Sequence, residues 1–130
     1  MLVTREIDYA LRILRALDRG GMLSAAAVAR QEHMQKAITL KLLNRLLAAG
    51  IVESRRGASG GYFLKRRCED LRIHDVFQAL GEPPLVNRCQ REGYTCENFP
   101  QGGCGVCREL GRIQGTLDRE LRRTPLSDIF

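Results

Sequence analysis

Residues 35–65, "QKAITLKLLNRLLAAGIVESRRGASGGYFLK", combine a helix with a short hairpin. Apolar residues recur at helical spacing from 35 to 49, and Gly50 is of a type favoured just after a helix end. The β-prone segments "IVESR" and "GYFLK" then flank a turn rich in glycine and serine, which is typical of a β-hairpin. The helix positions predicted to be buried are Ile38, Leu42, Leu43, Leu46 and Leu47.

Two further helices are predicted before this stretch. One follows Thr4 and stops at Gly20-Gly21, and a short one follows Ser24, a good N-cap residue. A short helix, a turn, a longer helix and a hairpin with arginines at its tip form the order of a winged helix-turn-helix. We therefore expect a mainly α fold with a small β-hairpin wing, with residues 1–84 forming the DNA-binding domain.

The charge distribution supports a polyanionic partner. The chain has 130 residues and a formal net charge of +6, and residues 1–67 hold 13 Lys and Arg against 5 Asp and Glu. A basic surface of this kind favours double-stranded DNA, although a solvated basic face has the same composition. The polar residues expected to face DNA are Gln35, Lys36, Thr39 and Lys41 on the third helix and Arg55, Arg56 and Ser59 on the wing.

A long C-terminal helix is predicted within residues 106–130. Its apolar residues recur at spacings of three and four, and Pro125 ends the pattern. Such a seam suits packing against a second copy of the helix, which predicts a homodimer, or packing on its own domain. The seam consists of Val106, Leu110, Ile113, Leu117 and Leu121.

The loop at residues 85–107 holds four of the five cysteines, in "CQREGYTCENFPQGGCGVC" from residue 89 to residue 107. The loop is rich in glycine and lacks periodicity, so Cys89, Cys96 and Cys104 are not core residues of a helix or strand. The odd cysteine count and an expected cytoplasmic location argue against structural disulfides. Cys68 lies outside this loop, and we expect it to be an ordinary thiol.

The cysteine spacing favours an iron-sulfur cluster. Zinc sites usually combine two close pairs of ligands, whereas this loop has one close pair, Cys104 and Cys107, and two widely spaced single cysteines. Wide spacing suits ligands that surround a larger group. Zinc, a thiol-disulfide switch and inert thiols remain alternatives at this point.

Three segments, "DYALRIL" from residue 8, "QKAITLKLLNRLLAAGIV" from residue 35 and "SRRGASGGYFL" from residue 54, resemble the Rrf2 family of bacterial winged-helix regulators. The wing pattern is the most specific of them. The resemblance covers nearly the whole chain and implies a homodimeric transcription regulator whose long C-terminal helix pairs the subunits. The iron-sulfur members of the family include IscR and NsrR. The resemblance therefore also implies a two-iron or four-iron cluster held by the cysteine loop.

The resemblance also implies ligands. Cys89, Cys96 and Cys104 match the three cysteines that cluster-binding members share, and Cys107 stands where the IscR-like pattern has a histidine. Asp8 matches the aspartate that the partner subunit donates in the NsrR-like pattern. We favour Cys107 as the fourth ligand because a thiolate is the softer, local donor; Asp8 also suits an i,i+4 pair with Arg12.

Several classes of protein are not favoured by the sequence. No apolar run approaches the length of a membrane span, and the N-terminal segment is charged throughout, so we expect a cytoplasmic protein without a membrane partner. No catalytic triad, phosphate-binding loop or carboxylate pair stands out, so we do not expect an enzyme. The alternative function is a metal-free or zinc-stabilised DNA-binding regulator that responds to thiol oxidation.

Overall fold

The computed structural model describes residues 2–130, which form a mainly helical fold with one two-stranded sheet. Short 3-10 turns lie at Cys68–Asp70, Arg88–Gln90 and Leu126–Asp128. The helices and strands are, in chain order, α1 (Arg5–Gly20), α2 (Ala25–Gln31), α3 (Lys36–Ala48), β1 (Val52–Arg55), β2 (Gly61–Leu64), α4 (Ile73–Ala79) and α5 (Gly105–Leu121). The predicted winged helix-turn-helix with a long C-terminal helix is confirmed.

The first two helices begin at the predicted caps. The Thr4 hydroxyl accepts a hydrogen bond from the Ile7 amide, and the Ser24 hydroxyl accepts one from the Ala27 amide, at 3.3 and 3.1 Å. Each bond satisfies an amide that has no partner within the first helical turn. These two caps therefore determine where α1 and α2 start.

One face of α3 packs into the core as predicted, with one exception. Leu42, Leu43 and Leu46 are fully buried, whereas Leu47 is 39% exposed, so the prediction for Leu47 is wrong. Each residue turns a helix by about 100°, which takes Leu47 past Leu46 to the edge of the packed face. The apolar stripe is thus narrower than the leucine run indicates.

The wing is an antiparallel hairpin that attaches to the segment before α2. Val52 pairs with Leu64 and Arg55 with Gly61, while the backbone of Tyr62 exchanges two hydrogen bonds with Leu23. A Cβ on Gly61 would lie 2.6 Å from the Leu23 carbonyl oxygen, and one on Gly60 would lie 2.1 Å from the Arg55 carbonyl oxygen. The paired glycines are therefore required by close backbone approach.

A single core joins the wing and helices to the end of the chain. Phe77 of α4 and Leu126 of the tail are both buried in it, and the Leu126 amide donates to the Leu71 carbonyl at 2.9 Å. Leu121, at the end of α5, packs against the same cluster. The tail after α5 therefore returns to the DNA-binding domain and fixes where α5 leaves it.

Candidate functional site

The start of α3 presents polar side chains to solvent. Gln35 and Lys36 are exposed, and the Gln35 side chain does not cap the helix, which leaves its carboxamide available for a base edge. Lys41 keeps 56% of its side chain exposed while its Nζ lies 2.5 Å from the Glu6 carboxylate of α1. The predicted exposure of these three residues is confirmed, and Lys41 also ties α3 to α1.

Thr39 lies elsewhere than predicted. It is fully buried, and its hydroxyl donates to the backbone carbonyl of Gln35 at 3.0 Å. A threonine whose hydroxyl bonds to the carbonyl four residues earlier can enter an apolar face without an unsatisfied polar group. The prediction that Thr39 lies on the exposed, DNA-facing side is therefore wrong.

Asn44 is an exposed residue that the sequence reasoning missed. It lies eight residues after Lys36 and three after Lys41, so all three share one exposed face of α3. Asparagine is one of the two residue types that bond adenine through two hydrogen bonds in the major groove. Continuing the helical period past the first turn of α3 would have found it.

The wing tip carries cations into solvent. Arg55, Arg56 and Ser59 are all exposed, as predicted. The Arg55 guanidinium lies 6.0 Å from the centre of the Phe63 ring, which restrains one of the two arginines against the hairpin. Two arginines on one short turn suit a phosphate backbone or a narrow minor groove.

Arg45 anchors α3 to its neighbours. Its guanidinium is 2.7 Å from the Glu6 carboxylate of α1 and 3.9 Å from the Glu82 carboxylate after α4. It also donates to the backbone carbonyl of Leu80, at the C-terminal end of α4. The Thr4 hydroxyl donates to the other Glu82 oxygen at 2.9 Å, so one network joins α1, α3 and the segment after α4.

Three of the four loop cysteines lie beside the start of α5. Cys104 is the N-cap residue of α5, and its sulfur accepts a hydrogen bond from the Cys107 amide at 3.4 Å. The Cys107 sulfur lies 3.8 Å from the Cys89 carbonyl oxygen. The side-chain amide of Gln90 donates to the Cys89 sulfur at 3.4 Å and to the Cys107 sulfur at 3.5 Å.

The fourth loop cysteine, Cys96, faces the same open cavity, whose volume is about 490 Å³. Cys89, Cys104 and Cys107 line it too, and the half-exposed aromatic rings of Tyr94 and Phe99 form part of its wall. The structure therefore gathers all four predicted cysteine ligands around one space, with apolar side chains beside them.

The thiols suit a soft metal or an iron-sulfur group by donor type, and they surround the cavity without converging on one point. Within residues 2–130, no three His, Cys, Asp or Glu side chains are close enough to hold a single metal ion as they stand. The neighbouring Cys89 thiol raises the pKa of Cys107, burial adds to this, and the Gln90 amide opposes it. Repulsion between adjacent thiolates is relieved by a bound cation, so four cysteines lining one cavity fit such a group.

Asp8 lies on α1 in an ion pair with Arg12 at 2.9 Å, as predicted for an i,i+4 pair, and both side chains are more than 40% exposed. Its carboxylate is thus open to solvent. The fifth cysteine, Cys68, is buried, and this burial raises its pKa to about 12. A thiol with so high a pKa is a weak nucleophile, so Cys68 does not belong to the reactive set.

The comparisons with known proteins give the family of this chain. A family model described as "Iron-dependent Transcriptional regulator", Rrf2, matches residues 3–130. The chain belongs to the Rrf2 family.

Relatives and solved structures of similar fold extend over most of the chain. A protein of Aquifex aeolicus that carries the name of an HTH-type transcriptional regulator is 21% identical over 132 residues, covering 100% of this chain and 92% of its own. The structure of CymR, described as the global cysteine regulator of B. subtilis, is 25% identical with a TM-score of 0.77, covering 97% of this chain and 93% of its own. The T. potens IscR structure is 20% identical with a TM-score of 0.73, covering 98% and 84%, and it shows the fold alone.

As an Rrf2 protein, the chain is a DNA-binding transcription regulator, and the relatives named here are regulators rather than enzymes. No helix within residues 2–130 is long and apolar enough to cross a membrane.

The apolar seam of this Rrf2 chain is partly open to solvent. Val106 is 69% exposed and Ile113 is 41% exposed, while Leu110 and Leu117 are half-buried. Leu121 belongs to the core of its own chain. The predicted seam thus divides into a far end that packs internally and a near end that leaves large apolar side chains uncovered.

Proposed function

We propose that this Rrf2 regulator acts as a homodimer that binds a two-fold-related operator and reports a chemical signal through an iron-sulfur cluster in the cysteine cavity. The observation that carries the proposal is that Cys89, Cys96, Cys104 and Cys107 all line one cavity at the start of α5. A single site next to the helix expected to pair the subunits is well placed to alter how two DNA-binding domains are spaced.

On the DNA, the exposed start of α3 enters the major groove. Gln35 reaches base edges, while Lys36 and Lys41 lie beside phosphates. The wing places Arg55, Arg56 and Ser59 on the DNA backbone or in the minor groove. All three are exposed, as are Gln35, Lys36 and Lys41. Thr39 is buried and contributes only by holding the first turn of α3.

The homodimer forms through α5. Val106 and Ile113 expose apolar side chains that a second copy of α5 would cover. A two-fold dimer uses the same surface patch on both subunits, so one continuous apolar stripe can form both halves of the interface. On the same stripe, the half-buried Leu110 lies between Val106 and Ile113, and the half-buried Leu117 follows Ile113.

The four cysteines would hold the group as thiolates, with the rings of Tyr94 and Phe99 beside it in the cavity wall. A bound cluster would supply an iron and sulfide centre whose redox state and integrity respond to oxidants, iron supply or nitric oxide. Cys107 is the fourth ligand in this proposal, since it lies beside Cys89 and one helical turn from Cys104. Asp8 of the partner subunit is the alternative, and its solvent exposure is compatible with that role.

A short linker carries the signal towards the DNA-binding domain. Gln114 of α5 is buried, and its carboxamide bonds the Val86 amide and the Pro84 carbonyl, each at 2.8 Å. The linker consists of residues 82–86, and at its other end Glu82 pairs with Arg45 of α3. Movement of the loop against α5 therefore reaches α3 through a chain of contacts and shifts the balance of DNA-competent states.

Iron and acid-labile sulfide analysis of anaerobically purified protein tests the cluster. We expect a coloured protein containing iron and sulfide in equal amounts, and a folded but colourless Cys96→Ala variant. A colourless, iron-free wild type prepared in the same way would refute the cluster.

A metal-free thiol regulator is the second candidate, because the Cys107 sulfur lies 3.8 Å from the Cys89 carbonyl oxygen and the sulfurs of both residues lie beside the same Gln90 nitrogen. In that case an external two-electron oxidant would take two electrons and two protons from two thiols and leave a disulfide at the start of α5. A zinc-stabilised site would be a variant of the same thiol regulator. The same metal analysis separates the three: iron and sulfide, zinc alone, or neither.

A further inference from the structure

Gln90 lies between two of the loop cysteines. Its Nε2 donates to the Cys107 backbone carbonyl at 2.9 Å and lies 3.4 and 3.5 Å from the sulfurs of Cys89 and Cys107. The carbonyl acceptor fixes the orientation of the carboxamide, because a carbonyl oxygen cannot accept a bond from the Gln90 oxygen. The Gln90 nitrogen rather than its oxygen therefore faces the sulfurs, with one N–H bonded to the carbonyl and the other directed between the two sulfurs.

The opposite end of the same carboxamide touches α5 at a glycine. A Cβ on Gly111 would lie 3.1 Å from Gln90 Oε1, which is tighter than ordinary van der Waals contact. Gly111 stands in the interior of α5, where glycine costs roughly 1 kcal/mol relative to alanine. Close approach of Gln90 gives this position a physical reason to lack a side chain.

Gln90 also joins two ordered turns that lie on either side of the loop. Cys89 and Gln90 share one 3-10 turn, which the Asn87 side chain caps. Cys104 and Cys107 share the first turn of α5. The thirteen residues between these turns, 91–103, include Gly93, Gly102 and Gly103, all with positive φ, and the Gln90 side chain bonds directly across them.

We propose that Gln90 is a positioning residue of the cysteine site. It holds the Cys89 turn against α5, so that the thiols of Cys89 and Cys107 can bind one metal ion or form a disulfide with each other. Its N–H groups stabilise negative charge on both sulfurs when they are ligands. Gly111 makes room for it. This inference rests on the proposal that the loop is the sensing site.

The first experiment titrates the reduced, metal-free full-length protein with Co²⁺, whose thiolate charge-transfer absorption reports binding to cysteines. Loss of an outer-shell partner typically lowers metal affinity about 10- to 100-fold, so we expect Gln90→Ala to weaken Co²⁺ binding by about 10-fold. Gln101→Ala is the matched control, since Gln101 is an exposed glutamine in the same loop. Equal affinities for Gln90→Ala and wild type would overturn the proposal.

Gly111→Ala separates positioning from a general effect on folding. Alanine favours the helix, so thermal stability should hold or rise, while the added methyl pushes Gln90 away and weakens Co²⁺ binding. In a Gln90→Ala background the same substitution should no longer affect Co²⁺ binding, because its neighbour is gone. Additive losses in the double variant would contradict the assigned contact.

A second experiment tests the role of Gln90 without any metal, so that its result does not depend on whether the protein binds a cluster. Diamide, a two-electron oxidant, converts two thiols to one disulfide and takes up their two electrons and two protons; peptide mapping then identifies the Cys89–Cys107 bond. We expect Gln90→Ala to slow its formation several-fold and Gln101→Ala to leave it unchanged. A wild type that binds no Co²⁺ refutes Co²⁺ binding by these thiols but leaves the cluster to the iron and sulfide analysis. The Gln90 proposal is then decided by the diamide experiment: equal rates, or no Cys89–Cys107 bond in the wild type, overturn it.

Discussion

Replacing Arg45 with methionine removes the central cation of the network that joins α1, α3 and the segment after α4. Methionine keeps much of the apolar stem, so the change isolates the guanidinium. The loss includes a charged hydrogen bond to the Leu80 carbonyl and ion pairs with Glu6 and Glu82. Arg45 is 33% exposed and Glu6 is 25% exposed, so water screens these interactions only in part.

The expected cost is about 2–3 kcal/mol of unfolding free energy. The charged hydrogen bond contributes roughly 1.5–2 kcal/mol and the partly screened ion pairs roughly 0.5–1 kcal/mol together. For a chain of this size, 1 kcal/mol corresponds to roughly 3–4 °C in Tm, which predicts a fall of about 6–12 °C by differential scanning calorimetry. Lys41→Met is the control, because its single pair with Glu6 is more exposed and should cost under about 1 kcal/mol. Equal Tm shifts for the two variants would refute the reasoning.

Four further predictions concern the wing, the seam and acid stability. Arg56→Ala should weaken operator binding and reduce the salt slope of log K by about 1, as measured by fluorescence anisotropy across salt concentrations. Gly61→Ala should distort the wing and weaken DNA binding, because its Cβ would meet the backbone carbonyl before α2 at 2.6 Å; unchanged affinity would contradict the register. Ile113→Glu should shift the protein towards monomer in sedimentation experiments, since it places a charge on the exposed seam. The Lys41 hydrogen bond is the largest of the causes that hold the pKa of Glu6 below its ordinary value of 4.5. The stabilisation contributed by the ionised Glu6 carboxylate should therefore be complete above pH 4.5 and be lost as pH falls through the lowered pKa of the folded protein. Acid unfolding curves of wild type and Glu6→Gln measure this difference in stability.

The helices and wing were predictable because local chemistry determines them. Caps at Thr4 and Ser24 and the glycine pair at the hairpin act over a few residues, and the structure uses them as the sequence indicates. Position on the face of α3 was less predictable. Thr39 is buried because its hydroxyl bonds the backbone, and a polar residue type alone does not reveal that bond.

The cysteine site was predictable in composition but not in its supporting contacts. Spacing in the loop pointed to Cys89, Cys96, Cys104 and Cys107, and all four line one cavity. Gln90 could not be found in the same way, because its bonds join residues 17 positions apart and depend on how the loop folds back on α5. Contacts of this kind follow from tertiary packing, which carries no local sequence signal.

In the proposed mechanism, the state of the cysteine cavity sets the affinity for DNA. The most direct test measures the dissociation constant for one operator, selected from a genomic fragment library, before and after anaerobic removal of iron from the same preparation. We predict a change of at least about 5-fold in the wild type, the lower end of typical coupling energies, and no change in Cys96→Ala. If the wild type contains iron as purified, equal dissociation constants before and after iron removal would contradict this mechanism.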